Sequence, residues 1–319
     1  MAKNCALPHH HKVVKLRRGM SNRFELQSEG AALDASLTEL ERERAAREIS
    51  GLETGFAHLS RALDGIRPGL YLLIGAPGIG KTSFARQLLD QIAIHNRVPG
   101  IFFSFTETQN ELRVRTFARL SGLDQREIRR GSAYLLHWYG VPRLAADETA
   151  DLAPSWEKLK RAAEEARSWL ELIYLMECPS DTTVKEIEAQ IAALRARAGS
   201  EQIMTVIDDC QRLGPADQTL DARLPRITEE LQQLAVRLGL PVLAVWPHLE
   251  SGKTAAQAWS EKVANPDVVL VMESDAERSK KLTEPNQAIT LHLVQNRRGE
   301  KGRLAYDFFP TCARFEEAP

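Results

Sequence analysis

The chain has 319 residues, 43% of them hydrophobic and 27% charged, with a formal net charge of −1. That is ordinary globular composition with material for a large core, and it excludes a global basic field that would draw the protein to nucleic acid or an anionic membrane. A local basic strip in a pore or groove would be invisible in that total.

Four scattered cysteines, Cys5, Cys178, Cys210 and Cys312, make no CxxC pair, so a disulfide framework is not expected. No apolar run approaches the ~18 residues of a membrane span, and no signal-peptide apolar region stands out. The expectation is a soluble cytoplasmic protein with no membrane partner.

In chain order, residues 1–33 read as a basic arm and linker. The first twenty, "MAKNCALPHHHKVVKLRRGM", hold five Lys/Arg and no acid. Cys5, His9, His10 and His11 fit a metal group or, as the preferred reading, a plain histidine-bearing tail. Residues 34–50 form a linker helix in which Ser36 and Glu39 fit a capping box. Its few apolar positions, chiefly Leu37 and Leu40, suit a solvated linker or a narrow face docked on another chain.

From residue 51 to 319 strand-like and helix-like segments alternate. Apolar runs stand at "LYLLIG" (70–75), "GIFFSF" (100–105), "LELIYLM" (170–176), "IMTVID" (203–208), "PVLAVW" (241–246) and "DVVLVM" (267–272). Runs apolar on both faces suit strands of a parallel sheet covered by helices. Thr183 and Glu186 make a second capping box, followed by Val184, Ile187, Ile191 and Leu194 at helical spacing up to Gly199. Ile227, Leu231, Leu234 and Leu238 repeat the pattern before Gly239. "AITLHLV", the turn "RRGEKG" and "RLAYDFF" read as an antiparallel hairpin at the sheet edge. The fold class is therefore α/β: a doubly wound, mainly parallel sheet with helices on both faces and a C-terminal antiparallel hairpin.

Gly75, Ala76, Pro77, Gly78, Ile79, Gly80, Lys81 and Thr82 match GxxxxGK[ST], after an expected strand and before an expected helix that Ser83 continues. Such a loop turns its backbone N–H groups toward a phosphate, and the helix adds its positive end. Lys81 is expected on the β- and γ-phosphates of ATP and Thr82 on Mg²⁺. In "MTVIDDCQRL" an apolar strand delivers Asp208 at its C-terminal end, the place of a Walker B aspartate holding Mg²⁺.

The order of these elements carries a resemblance. "TGFAHLSRALDGIRPGLYLLIGAPGIGKTSFA" resembles the entry to the RecA-like ATPase domain of the DnaB replicative-helicase family. "IFFSFTETQNELRVRTFARLSG", "IMTVIDDCQRL" with Gln211, "ITEELQQLAVRLGLPVLAV" and "LVQNRRGEKGRLAYDFFPTCARFEE" are similar to its later segments. The likeness runs from about residue 37 to 317, without the family's separate N-terminal helical domain. It implies a homo-oligomeric ring, a hexamer being favoured, with ATP between neighbouring subunits and single-stranded DNA as a partner. It also implies that the linker helix packs on the next subunit and that Arg297 is an arginine finger acting in trans. A protein partner in place of the N-terminal domain is a further expectation.

The chain departs from the family at four places. Where helicases carry the water-activating glutamate, residue counting falls on Thr106, with Glu107 one position later; KaiC-type proteins have two adjacent acids here. Glu107 is the preferred base, and Asp209, next to the Walker B residue, is its rival. Gln295 replaces a lysine two residues before Arg297 and can donate a hydrogen bond but not neutralise charge. Pro247-His248 follows "VLAVW" in place of a sensor glutamine. The pore-loop candidates are thin: residues 214–222 carry two aspartates and no base, and residues 248–262 offer Lys253, Lys262 and Trp259. Those departures raise the alternative of a slow, nucleotide-gated regulatory or assembly ATPase.

Overall fold

All six apolar runs become strands of one sheet in the computed structural model, which describes residues 49–130, 153–215, 219–246 and 266–318 and scattered positions between 28 and 41. They are β1 (Gly69–Gly75), β2 (Gly100–Ser104), β3 (Ile173–Glu177), β4 (Met204–Asp208), β5 (Pro241–Trp246) and β6 (Val268–Ser274). β1, β2, β4 and β5 are buried along their whole lengths. Side chains alternate between the two faces of a strand, so continuous apolarity means that both faces are covered. On β1, Tyr71 and Leu73 join one core, while Leu70, Leu72 and Ile74 join the other.

The sheet order is β3-β2-β4-β5-β1-β6-β7-β8-β9, and the pairs within β3 to β6 are parallel. β7 (Gln287–Asn296) and β8 (Gly302–Phe309) form the expected hairpin. A third antiparallel strand, β9 (Arg314–Glu317), extends it. The expected hairpin is present and the sheet runs one strand beyond it: a 3₁₀ turn at Pro310–Cys312 and Ala313 at φ +52° fold the chain back for one more short pairing. β3 begins later than the run at 170–176 suggests, because Leu170 closes the preceding helix.

The helices are α1 (Ala57–Leu63), α2 (Lys81–Asn96), α3 (Gln109–Ser121), α4 (Gln125–Arg130), α5 (Ala153–Leu170), α6 (Val184–Ala198), α7 (Leu220–Leu238) and the single turn α8 (Ala276–Ser279). α6 begins with the expected reciprocal box, in which Thr183 Oγ1 accepts from Glu186 N and Glu186 Oε2 from Thr183 N. Such a cap stabilises a helix by ~1 kcal/mol. Val184, Ile187, Ile191 and Leu194 are all buried, and Gly199 ends the helix at φ +59°. On α7, Ile227, Leu231 and Leu234 are buried and Leu238 is partly so.

The N-terminal helix needs a correction. Gly30, Leu33 and Asp34 are already helical, so Ser36 lies inside the helix and not at its cap. Glu39 and Leu40 lie outside the described residues, as do Cys5, His9, His10 and His11.

Candidate nucleotide-binding site

The chain leaves the carboxyl end of β1 and enters β2, which is separated from β1 by β4 and β5. Crevices at such a crossing, outside the carboxyl ends of parallel strands, are where open α/β sheets take ligands. The loop 75–82 lies there. Gly78 (φ +79°) and Gly80 (φ +97°) supply the left-handed backbone that curls it. A Cβ at Gly80 would come within 2.9 Å of the Phe308 and Phe315 rings, so the loop rests on the antiparallel extension.

Gly80 caps α2 without a side-chain hydrogen bond, and the first helical bond runs from Phe84 N to Gly80 O. The N–H groups of Lys81, Thr82 and Ser83 therefore precede the helical ladder and carry its positive end. Lys81 Nζ donates to Gly75 O (2.7 Å) and Ala76 O (3.0 Å). Burial lowers its pKa, opposed by Asp208 and Asp209.

Asp208 ends β4 with only 3% exposure. Burial pushes its carboxyl up to about 6, Asp209 and Glu107 push in the same sense, and Thr82 and Lys81 oppose them. Its Oδ2 is buried with no hydrogen-bond partner among the described residues. An orphaned carboxylate oxygen beside a threonine hydroxyl, with two further acids near, is a donor set that fits Mg²⁺. The Asp208–Asp209 peptide is cis.

The two rival bases differ in how they are held. Asp209 caps the 3₁₀ turn Cys210–Arg212, accepting from Gln211 N and, in a short contact, from Gln211 Nε2. Gln211, expected on the nucleotide, thus bonds its own aspartate. Burial raises the pKa of Asp209. Glu107 stands in the loop after β2, fixed by Ser104 Oγ, which donates to Glu107 O (2.6 Å) and accepts from Glu107 N (3.1 Å). Ser104 pairs with Asp208 across the strands, which brings this loop beside the Walker B end.

Sequence reasoning missed Arg115. Its Nε and Nη2 donate to the two Glu107 carboxylate oxygens at 2.8 and 2.5 Å, and its Nη1 donates to Ser83 Oγ at 3.0 Å. Ser83 therefore turns its side chain toward α3, leaving its backbone N–H for a phosphate. An arginine eight residues after the acid carries no motif; two turns of α3 bring it back over Glu107, and the packing of α3 on α2 brings it to Ser83.

Arg297 is elsewhere. It follows β7, whose Asn296 pairs with Val268 at the beginning of β6, while the phosphate loop leaves the end of β1. The two therefore occupy opposite edges of the parallel sheet. Asp267 holds Arg297 in place: its O accepts from Arg297 N (2.9 Å) and its Oδ1 lies 3.3 Å from Nη1. Asp267 Oδ2 accepts from Leu70 N (2.9 Å) and Gln232 Nε2 (3.0 Å). Gln295 donates its amide to Pro266 O. His248, Lys253, Trp259 and Lys262 lie outside the described residues, as do three positions of the 214–222 loop.

Comparison with known proteins decides the family, since the model of the DnaB-like helicase C-terminal domain matches residues 51–247. The chain belongs to that family. The replicative DNA helicase DnaB of Treponema pallidum is 26% identical over 276 residues, covering 84% of this chain and 56% of the relative. That of a Nostoc species is 26% identical over 208 residues, covering 65% of this chain and 21% of the relative. The chain thus spans between about a fifth and just over half of these relatives' length. A solved ATPase domain superposes with a TM-score of 0.70 at 17% identity, covering 92% of this chain and 100% of that one. The likeness establishes the DnaB-like, RecA-type fold. Among the described residues no helix is long and apolar enough to cross a membrane.

Proposed function

We propose that the protein is an ATP-hydrolysing subunit of a cytoplasmic ring, a hexamer being the favoured form, that acts on single-stranded DNA as replicative helicases do. The observation that carries this reading is the separation of Arg297 from the phosphate loop across the sheet. A finger that cannot reach its own nucleotide serves a neighbour's, so the site is complete only between subunits. The exposed Leu33 and Leu37, one helical turn apart where the expected arm meets the linker helix, offer a narrow face by which this N-terminal helical segment would dock on the next subunit.

In this reading the loop N–H groups and Lys81 bind the phosphates of ATP. Thr82 and Asp208 would hold Mg²⁺, which would neutralise phosphate charge when bound. Glu107 accepts the proton of the attacking water, after Arg115 has let go of at least one of its oxygens. Asp209 orients Gln211. Arg297 neutralises the charge that develops on the neighbouring γ-phosphate.

A second reading, a slow nucleotide-gated assembly ATPase that recruits a protein partner, is favoured by two observations. The Gln295 amide is engaged by Pro266, and Glu107 is clamped at both oxygens by Arg115. Steady-state ATP hydrolysis with and without single-stranded DNA separates them. Turnover raised severalfold by DNA and lost in Lys81→Ala supports the motor; tight ATP binding with DNA-indifferent, negligible turnover sinks it.

A further inference from the structure

Arg86 lies on α2, five residues beyond Lys81, and is only 1% exposed. Its Nη1 lies 2.6 Å from Asp90 Oδ1. The other Asp90 oxygen is taken by Arg119 of α3, and Thr116 Oγ1 stands 3.2 Å from it. One buried carboxylate thus faces two buried guanidinium groups, and a third arginine, the exposed Arg113, stands beside them. Among the described residues, Arg86 Nε and Arg119 Nη1 are buried without a hydrogen-bond partner. Burial lowers the Arg86 pKa to about 10; Asp90 opposes the shift, and Arg119 and Arg113 add to it.

A surplus of buried positive charge with unmatched donors is costly unless an anion answers it. The cluster borders a cavity of about 260 Å³. Its polar lining is Arg86, Arg113 and Thr116; its apolar lining includes Phe117, Leu170 and Leu175. That space is many times what a single water needs and takes a small organic molecule. A planar guanidinium matches a carboxylate in two-point hydrogen bonding, whereas a bare phosphate would leave the apolar wall uncovered.

We propose that this cavity between α2, α3 and β3 binds a small organic anion, a carboxylate on a short apolar body. The carboxylate meets Arg86 and Arg113, and the body lies against Phe117, Leu170 and Leu175. The site is separate from the phosphate loop. It borders both the helix that starts at Lys81 and the helix whose Arg115 holds Glu107.

Isothermal titration of the full chain with sodium benzoate tests this, beside Lys81→Ala, Arg113→Gln and Leu175→Trp. The expected result is one saturable site per chain, unchanged in Lys81→Ala, at least tenfold weaker in Arg113→Gln and lost in Leu175→Trp. ATP binding by the last two variants verifies their fold, and Arg113, being exposed, is a substitution the fold tolerates. No saturable benzoate binding by the unaltered chain would overturn the proposal, as would equal affinity in Arg113→Gln and Leu175→Trp. Loss in Lys81→Ala would also overturn it, by placing the anion on the phosphate loop. Inorganic phosphate binding to Lys81→Ala as tightly as benzoate would overturn the apolar-body requirement.

Discussion

The two edges of the parallel sheet are built differently. At the carboxyl edge the phosphate loop, Asp208, Asp209 and Glu107 converge from three strand ends, and Asp208 is almost wholly buried. At the opposite edge Arg297 is half exposed, held by Asp267 beside the start of β1. The first edge gathers opposed charges within one chain; the second carries the half-exposed Arg297, with Arg67 and Arg298 lining the same hollow. An outward, pre-positioned guanidinium suits a partner's phosphate, because its own geometry is fixed before the neighbour arrives.

The largest expected effect comes from breaking that division. Arg297→Ala lowers kcat by ~10³–10⁵-fold while ATP affinity stays within a few fold. Mixing it with Lys81→Ala restores part of the turnover, because one variant keeps the finger and the other keeps the loop. Mixed subunits that stay dead in an ATPase assay would show the two edges do not meet between chains.

Glu107→Gln follows, with an expected loss of ~10²–10⁴-fold in kcat. Asp209→Asn is expected to cost less, since both Asp209 oxygens are already taken by Gln211. A larger loss for Asp209→Asn in the same assay would exchange their roles. Third, Asp267→Asn weakens the hold on Arg297 and lowers kcat by about ten- to a hundredfold without changing ATP affinity. A change confined to KM would remove Asp267 from the positioning of the finger.

The smallest effect is on stability. Gly80→Ala puts a Cβ against two aromatic rings at a left-handed backbone position and costs about 1–3 kcal/mol. A melting temperature unchanged from the unaltered chain would show that the loop does not lean on those rings.

Most of the fold was legible because both-face burial leaves an unbroken apolar run, as in "LYLLIG" and "PVLAVW". The hairpin was legible from its period of two, while β9 was not, since four residues with two glutamates carry no strand pattern of their own. Ser36 misled because a serine three residues before a glutamate is a cap only where the helix begins. In the site, the phosphate loop and Asp208 follow contiguous motifs. Arg115 on Glu107 and Asp267 on Arg297 were hidden, the first because an arginine eight residues after an acid matches no motif, the second because the partners meet only across the start of β6 and the end of β7.

The floor of the phosphate loop has a consequence for synthesis. Gly80 leans on Phe308 and Phe315, whose rings stack at 4.3 Å, and Glu317 Oε1 accepts from His58 N and Leu59 N. The loop at 75–82 therefore receives its support from residues translated more than two hundred positions later. A nascent chain carries the complete glycine-rich motif long before it can shape it, so nucleotide capture is among the last capacities to mature as the polypeptide emerges.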